Sequence, residues 1–293
     1  MSNARPEPLA RSYRVNDIDL VVHEWAPAAG SPDVPPLVFA HATGFHGRVW
    51  DAIAEQFPGH RIHAIDLRGH GRSGGGPITD WRIMASDVAQ FLDQAGIAGA
   101  VGIGHSMGAH TLLQVAADHA LAFSRLVLFD PVILAPEFYA LPEPLYTADN
   151  PHPAIRRKRD FASAEEMMER FRTRDPYCLF DSRVFADYCR RGLRPAGSGE
   201  GMELACTPEM EASVYGSSRS NGAILEAAKT VGVPVLVVRA RMTSLTDFKS
   251  SPTWPELAGV LPQGTDLHRP DRTHFHPFED PADAARIIAG FIG

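Results

Sequence analysis

Cysteine is scarce in this chain of 293 residues: Cys178, Cys189 and Cys206 make an odd set at wide spacing, with no Cys-x-x-Cys pair. That argues against a disulfide framework and against a thiolate zinc site, and a reducing, cytoplasmic compartment is expected. Long apolar runs are also missing, so no transmembrane span is expected. Met1 to Ala10 carries Arg, Pro and Glu but no apolar h-region, so no secretory leader is expected. Positive charge is not in excess. Lys and Arg number 28 against 35 Asp and Glu, for a net −7, and the one dense basic run is the short Arg156-Arg157-Lys158-Arg159. Neither a nucleic-acid nor a membrane partner is implied. No internal repeat is visible. The hydrophobic content of 44% and charged content of 22% are ordinary for a globular protein with a sizeable core.

What is present is organised around Val101-Gly102-Ile103-Gly104-His105-Ser106-Met107-Gly108-Ala109-His110. The uncharged run Ile97 to Ile103 feeds a Gly-x-Ser-x-Gly sequence, and a helix-like stretch, Ala109 to Ala117, follows at once. Strand, sharp turn, serine and helix form the context of a nucleophile elbow. A serine at the tip of so tight a turn sits in strained backbone, where bulky neighbours would clash, hence Gly104 and Gly108. The turn lifts the Ser106 hydroxyl clear and points the Met107 amide, at a helix start, beside it. One nucleophile and one oxyanion donor are expected together.

Elsewhere the pattern alternates. Strands are expected at Arg11–Val15, Ile18–Trp25, Leu37–Ala40, Arg61–Ile65, Arg125–Phe129, Pro234–Val238 and Thr265–His268. Helices are expected at Trp50–Phe57, Trp81–Ala95, Pro255–Leu261 and Pro281–Ile292. Such alternation predicts a mostly parallel twisted sheet flanked by helices on both faces. From Ile133 to about Ala228 the buried-strand signal stops. Ser163-Ala164-Glu165-Glu166 has capping-box form and opens a helix through Arg172; Ser182 to Arg191 is another. A mostly helical insertion of roughly ninety residues reads as a lid, because a structureless loop of that length would be anomalous. The expected division is a core of residues 1–132 and 229–293 and a helical cap of residues 133–228.

A serine nucleophile needs a base, and the base an orienting carboxylate. His268, His274 and His276 are the histidines beyond the lid, and His274 lies between the last strand and the last helix. His274-x-His276 could ligate a metal, but no third ligand is evident nearby, so neither metal nor cofactor is expected.

Three separated motifs carry a resemblance: the elbow, the turn Asp66-Leu67-Arg68-Gly69-His70-Gly71-Arg72-Ser73, and the tail His274-Phe275-x-x-x-Glu279-Asp280-Pro281. Together they resemble the α/β-hydrolase superfamily with a cap domain, over about Leu37 to Asp130 and Val233 to Ile292. The resemblance implies Ser106 as nucleophile and His274, rather than His276, as base. It implies an acid after the penultimate strand, but Thr243 stands in that place. Asp130, at a position some capped members use, and Asp247, four residues beyond Thr243, are the two candidates, with Asp130 favoured. It also implies Thr43 N–H as the second oxyanion donor beside Met107, although Ala42 replaces the family's usual glycine. His41 reads as a structural hydrogen bonder, and the Asp66–Ser73 turn is given no catalytic role.

The implied activity is a serine hydrolase acting on small to medium carboxylic esters or lactones, because an aromatic lid suits an apolar substrate. The elbow serine excludes dehalogenases and epoxide hydrolases of this fold, which place Asp there. A C–C bond hydrolase of a dienoate-type substrate is the nearest alternative. Its carboxylate would suit the lid arginines, which otherwise read as a solvated face. A lyase or a ligand-binding receptor on the same fold is the remaining class.

Overall fold

The computed structural model describes residues 6–142, 146, 147, 149–197, 199–244 and 247–293. Eight strands form one sheet: β1 (Leu9–Val15), β2 (Ile18–Trp25), β3 (Leu37–Ala40), β4 (Ile62–Ile65), β5 (Ala100–His105), β6 (Phe123–Phe129), and, after three short strands of a separate sheet, β10 (Val235–Ala240) and β11 (Gly264–Arg269). Their order is β1-β2-β4-β3-β5-β6-β10-β11. β2 runs antiparallel to both its neighbours, and every pairing from β4 to β11 is parallel.

The central strands read as continuous apolar runs because both faces of the sheet are covered. Along β3, Val38 and Ala40 enter one core while Leu37 and Phe39 enter the other. Leu126 and Leu128 of β6 alternate in the same way with Val127 and Phe129. Helices Arg82–Ala95 and Met107–Asp118 cover the first face. The last helix, Pro281–Ile292, and the turn around Trp50 cover the second. The expected helix over Trp50–Phe57 is shorter than its pattern: a 3-10 turn at Gly47–Trp50 runs into an α-helix at Asp51–Ala54.

Among the described residues, 133–228 add no strand to the main sheet. The helices there include Ala164–Phe171, Ser182–Arg191 and Pro208–Gly216. Ser163 caps the first by accepting the Glu166 amide, but Glu166 reaches back to the Ala162 amide instead of closing a box on Ser163. The segment also holds something that the expectation of helical pieces did not name. β7 (Asp160–Phe161), β8 (Leu193–Pro195) and β9 (Met202–Leu204) form an antiparallel sheet in the order β7-β9-β8. Strands of two or three residues are too short to show a period in the sequence. Helix Pro208–Gly216 ties the segment to the rest of the chain: Trp81 Nε1 donates to Val214 O at 3.0 Å, and the Ile78 amide donates to Ser213 Oγ at 3.0 Å.

Candidate active site

The parallel strands deliver their C-terminal ends to one edge of the sheet, where ligands of open α/β sheets bind. β3 ends into His41–Gly44, β5 into Ser106, β6 into Asp130, and β11 into the loop bearing His274. In the register Ala40 lies beside Gly104, and His105 beside Phe129. Residues far apart in sequence therefore leave the sheet side by side.

Ser106 has φ 57° and ψ −117°, a left-handed conformation that an L-residue adopts only when its surroundings dictate it. The flanking glycines explain how the turn closes. A Cβ on Gly104 would lie 2.5 Å from Ala109 Cα, and one on Gly108 would lie 2.3 Å from Ala40 O. Either would drive the following helix off the sheet.

His274 Nε2 lies 3.0 Å from Ser106 Oγ, and His274 Nδ1 lies 2.5 Å from Asp130 Oδ2. Asp130 is fully buried. Its other oxygen, Oδ1, accepts from Ala240 N at 2.9 Å, Ser251 Oγ at 2.5 Å and Thr253 Oγ1 at 3.3 Å. A buried carboxylate this well supplied with donors is fixed in direction. His105 Nε2 meets the His274 carbonyl at 2.8 Å, and the His274 amide donates to Lys249 O, so the backbone of the His274 loop is tethered as well.

Of the two candidate acids, Asp130 is the one beside His274. Asp247 lies elsewhere: it accepts from Thr243 Oγ1 at 2.7 Å and from the Lys249 amide at 3.0 Å. His276 is buried against the Phe129 ring at 5.0 Å, not beside the serine. Thr43 Oγ1 contacts Met107 Sδ at 3.5 Å, which brings the two expected oxyanion residues together.

Arg157 departs from the solvated-face reading of the basic run, while Arg156 and Lys158 are exposed. Its guanidinium is turned inward onto Glu211, Tyr177 Oη at 3.1 Å and Tyr188 Oη at 3.0 Å. Burial works against its charge, but Tyr177, Tyr188 and Glu211 more than offset this and push its pKa well above the ordinary value. Lys158 and Arg159 pair with Glu166 and Glu209. Three of the four basic residues thus already hold a carboxylate of the chain itself.

The hydroxyls of Ser251 and Thr253 escaped the sequence reading. Nothing in Ser250-Ser251-Pro252-Thr253 signals a contact with a residue more than a hundred positions earlier. No group of three or more metal-ligating side chains occurs among the described residues, nor any helix long and apolar enough to cross a membrane.

The profile of the alpha/beta hydrolase family matches residues 37–287, nearly the whole chain. The chain belongs to that family. Lipase LipV of Mycobacterium tuberculosis is 35% identical over 118 residues, 40% of this chain and 43% of the lipase. The chain thus spans less than half of that relative's length. A bifunctional esterase/perhydrolase of Acinetobacter calcoaceticus is 25% identical over 94% of this chain and 96% of its own. Among solved structures, that of E-2-(acetamidomethylene)succinate hydrolase superposes with a TM-score of 0.75 at 19% identity, covering 97% of this chain and 99% of that one. At that identity the likeness speaks for the alpha/beta hydrolase fold alone.

Proposed function

We propose that this alpha/beta hydrolase is a serine esterase or lactonase working through an acyl-enzyme on Ser106. The observation that carries this reading is the unbroken chain from Ser106 Oγ through both nitrogens of His274 to Asp130, set at a strained elbow. Ser106 Oγ attacks the substrate carbonyl and gives its proton to His274 Nε2. Asp130 holds the Nδ1–H and offsets the imidazolium charge that forms. The Thr43 and Met107 amides receive the oxyanion; each such donor is worth about 2.7–4 kcal/mol in the transition state. Collapse expels the alcohol, which takes the proton from His274. Water then attacks the acyl-enzyme with His274 again as base, releasing the acid and restoring the serine.

Residues 133–228 act as the cap in this reading. Phe180 and Phe248 pack on Phe275 at 5.7 and 5.2 Å, and Phe275 adjoins His274. Aromatic packing beside the base favours an apolar acyl or alcohol group in this reading. The near full-length similarity to an esterase favours the same chemistry. The three free cysteines agree with a reducing compartment such as the cytoplasm.

Labelling with a fluorophosphonate probe, mapped by peptide mass, tests the proposal. A single adduct on Ser106, with turnover of short-chain esters or lactones, is the expected result. A folded protein that takes no label and cleaves no ester would overturn it.

A further inference from the structure

The loop that would supply the Thr43 donor is laced to the Asp66–Ser73 turn by two histidines, and the lacing is reciprocal. His41 of the loop accepts the Leu67 amide of the turn at Nε2, 2.9 Å away. His70 of the turn accepts the Gly44 amide of the loop at Nε2, 3.1 Å away. Each ring donates its other nitrogen to a carbonyl: His41 Nδ1 to Ala42 O at 2.8 Å, His70 Nδ1 to Arg68 O at 2.8 Å. Only the neutral ring with its proton on Nδ1 satisfies both partners. Both histidines are fully buried, which pushes His41 down to about 3 and His70 to about 4. The Cys206 thiol is the other group near the Gly44 amide; it is buried, held neutral, and a weak acceptor.

The geometry of the peptide unit turns this lacing into a functional statement. A peptide is planar and trans, so its C=O and N–H point in opposite directions. His41 and the Phe45 amide both bond to Ala42 O, which sets the plane carrying Thr43 N–H. His70 sets the next plane through Gly44 N–H. Gly44 has φ +78°, and a Cβ there would lie 3.0 Å from Glu211 Oε1, so the loop is confined on that side too.

We propose that His70, together with His41, is a positioning residue for the oxyanion hole: the two neutral rings lock the peptide planes on either side of Thr43 and aim its N–H at the space beside Met107 N–H. The inference rests on the serine-hydrolase reading above.

The test compares two variants of the whole protein that divide the imidazole between them. In His70→Asn the side-chain amide reaches the position of Nδ1 and keeps the Arg68 carbonyl, but leaves Gly44 N–H without its acceptor. In His70→Gln the amide oxygen reaches the position of Nε2 and restores that acceptor. His70→Asn is expected to lower kcat and the rate of fluorophosphonate labelling by about 10- to 100-fold, with KM changed by less than about threefold. His70→Gln is expected to return both rates to within about threefold of wild type. Equal rates in the two variants, whether both normal or both impaired, would overturn the proposal. Imidazole 15N shifts of the intact wild-type protein supply a reading that needs no variant. His70 should carry its proton on Nδ1 and none on Nε2 at neutral pH; a proton on Nε2 would overturn the proposal even if neither variant folded. Absence of Ser106 labelling in the wild type would instead remove the serine-hydrolase reading itself.

Discussion

Ser106 and Asp130 share an unusual feature: both hold positive φ, at 57° and 48°, and both sit one residue beyond a central strand. Strain of this kind costs of order 1–3 kcal/mol per residue and persists where the surroundings over-determine it. Here it turns the two side chains toward His274. Ser106→Ala is expected to remove ester turnover by about 10⁴-fold or more while the melting temperature holds. Retention of a tenth of the wild-type rate would mean that another group is the nucleophile. Asp130→Asn should lower kcat by about 10⁴-fold, because the imidazole loses the partner that fixes its tautomer. Asp247→Asn should stay within about threefold, since its carboxylate serves only the local loop. Equal losses in steady-state assays of the two would misplace the acid. The serine and the histidine were legible in the sequence because local motifs surround each of them. The acid was narrowed to Asp130 and Asp247, with Asp130 favoured, but not fixed: Thr243 stands where the family places it, and distance along the chain does not say which strand end abuts the His274 loop.

At the scale of elements, contact between β3 and helix Met107–Asp118 depends on hydrogen in place of a side chain. Gly108→Ala puts a methyl 2.3 Å from Ala40 O and 2.6 Å from His41 O, backbone atoms that cannot swing aside. A loss of about 1–3 kcal/mol or more is expected from such overpacking, read as a lower urea midpoint; unchanged stability would show that helix and strand can separate. The Arg157–Glu211 pair makes a different prediction. Glu211→Leu alone strands a buried guanidinium and should cost about 3–5 kcal/mol, whereas adding Arg157→Met should recover most of that. A double variant no more stable than the single one would show that the pair holds the fold through its tyrosine partners instead. The inward turn of Arg157 had no sequence signal, because a basic run looks the same whether its members face solvent or one of them finds a buried carboxylate.

Across the whole molecule, buried neutral histidines set the response to acid. Burial holds His41 at about 3, and His46, His70, His110 and His276 at about 4, against an ordinary value of 6.5. The unfolded chain binds protons below 6.5, but the folded chain resists them until about 4. Unfolding in that window therefore takes up protons. The stability these groups confer is fully present above 6.5 and is lost as the pH falls toward 4, at up to about 1.4 kcal/mol per pH unit for one group. Urea midpoints should be level above pH 6.5 and fall steadily below it. A flat profile down to about pH 4.5 would mean that these rings are protonated in the folded protein.

The sequence by itself determined where along the sheet edge the proposed site lies. Gly104, Ser106 and Gly108 encode a turn through local sterics alone, and apolar alternation encodes the strands that present it. It also determined that His274 follows the last strand, within reach of that edge. Only the tertiary structure decided that Asp130 and not Asp247 meets the imidazole, that Ser251 and Thr253 hold Asp130, and that His41 and His70 lace two loops together. Each of these is a contact between segments that separate strands deliver to the same place. The pairing order of the sheet creates such neighbours, and no local pattern of residues records them.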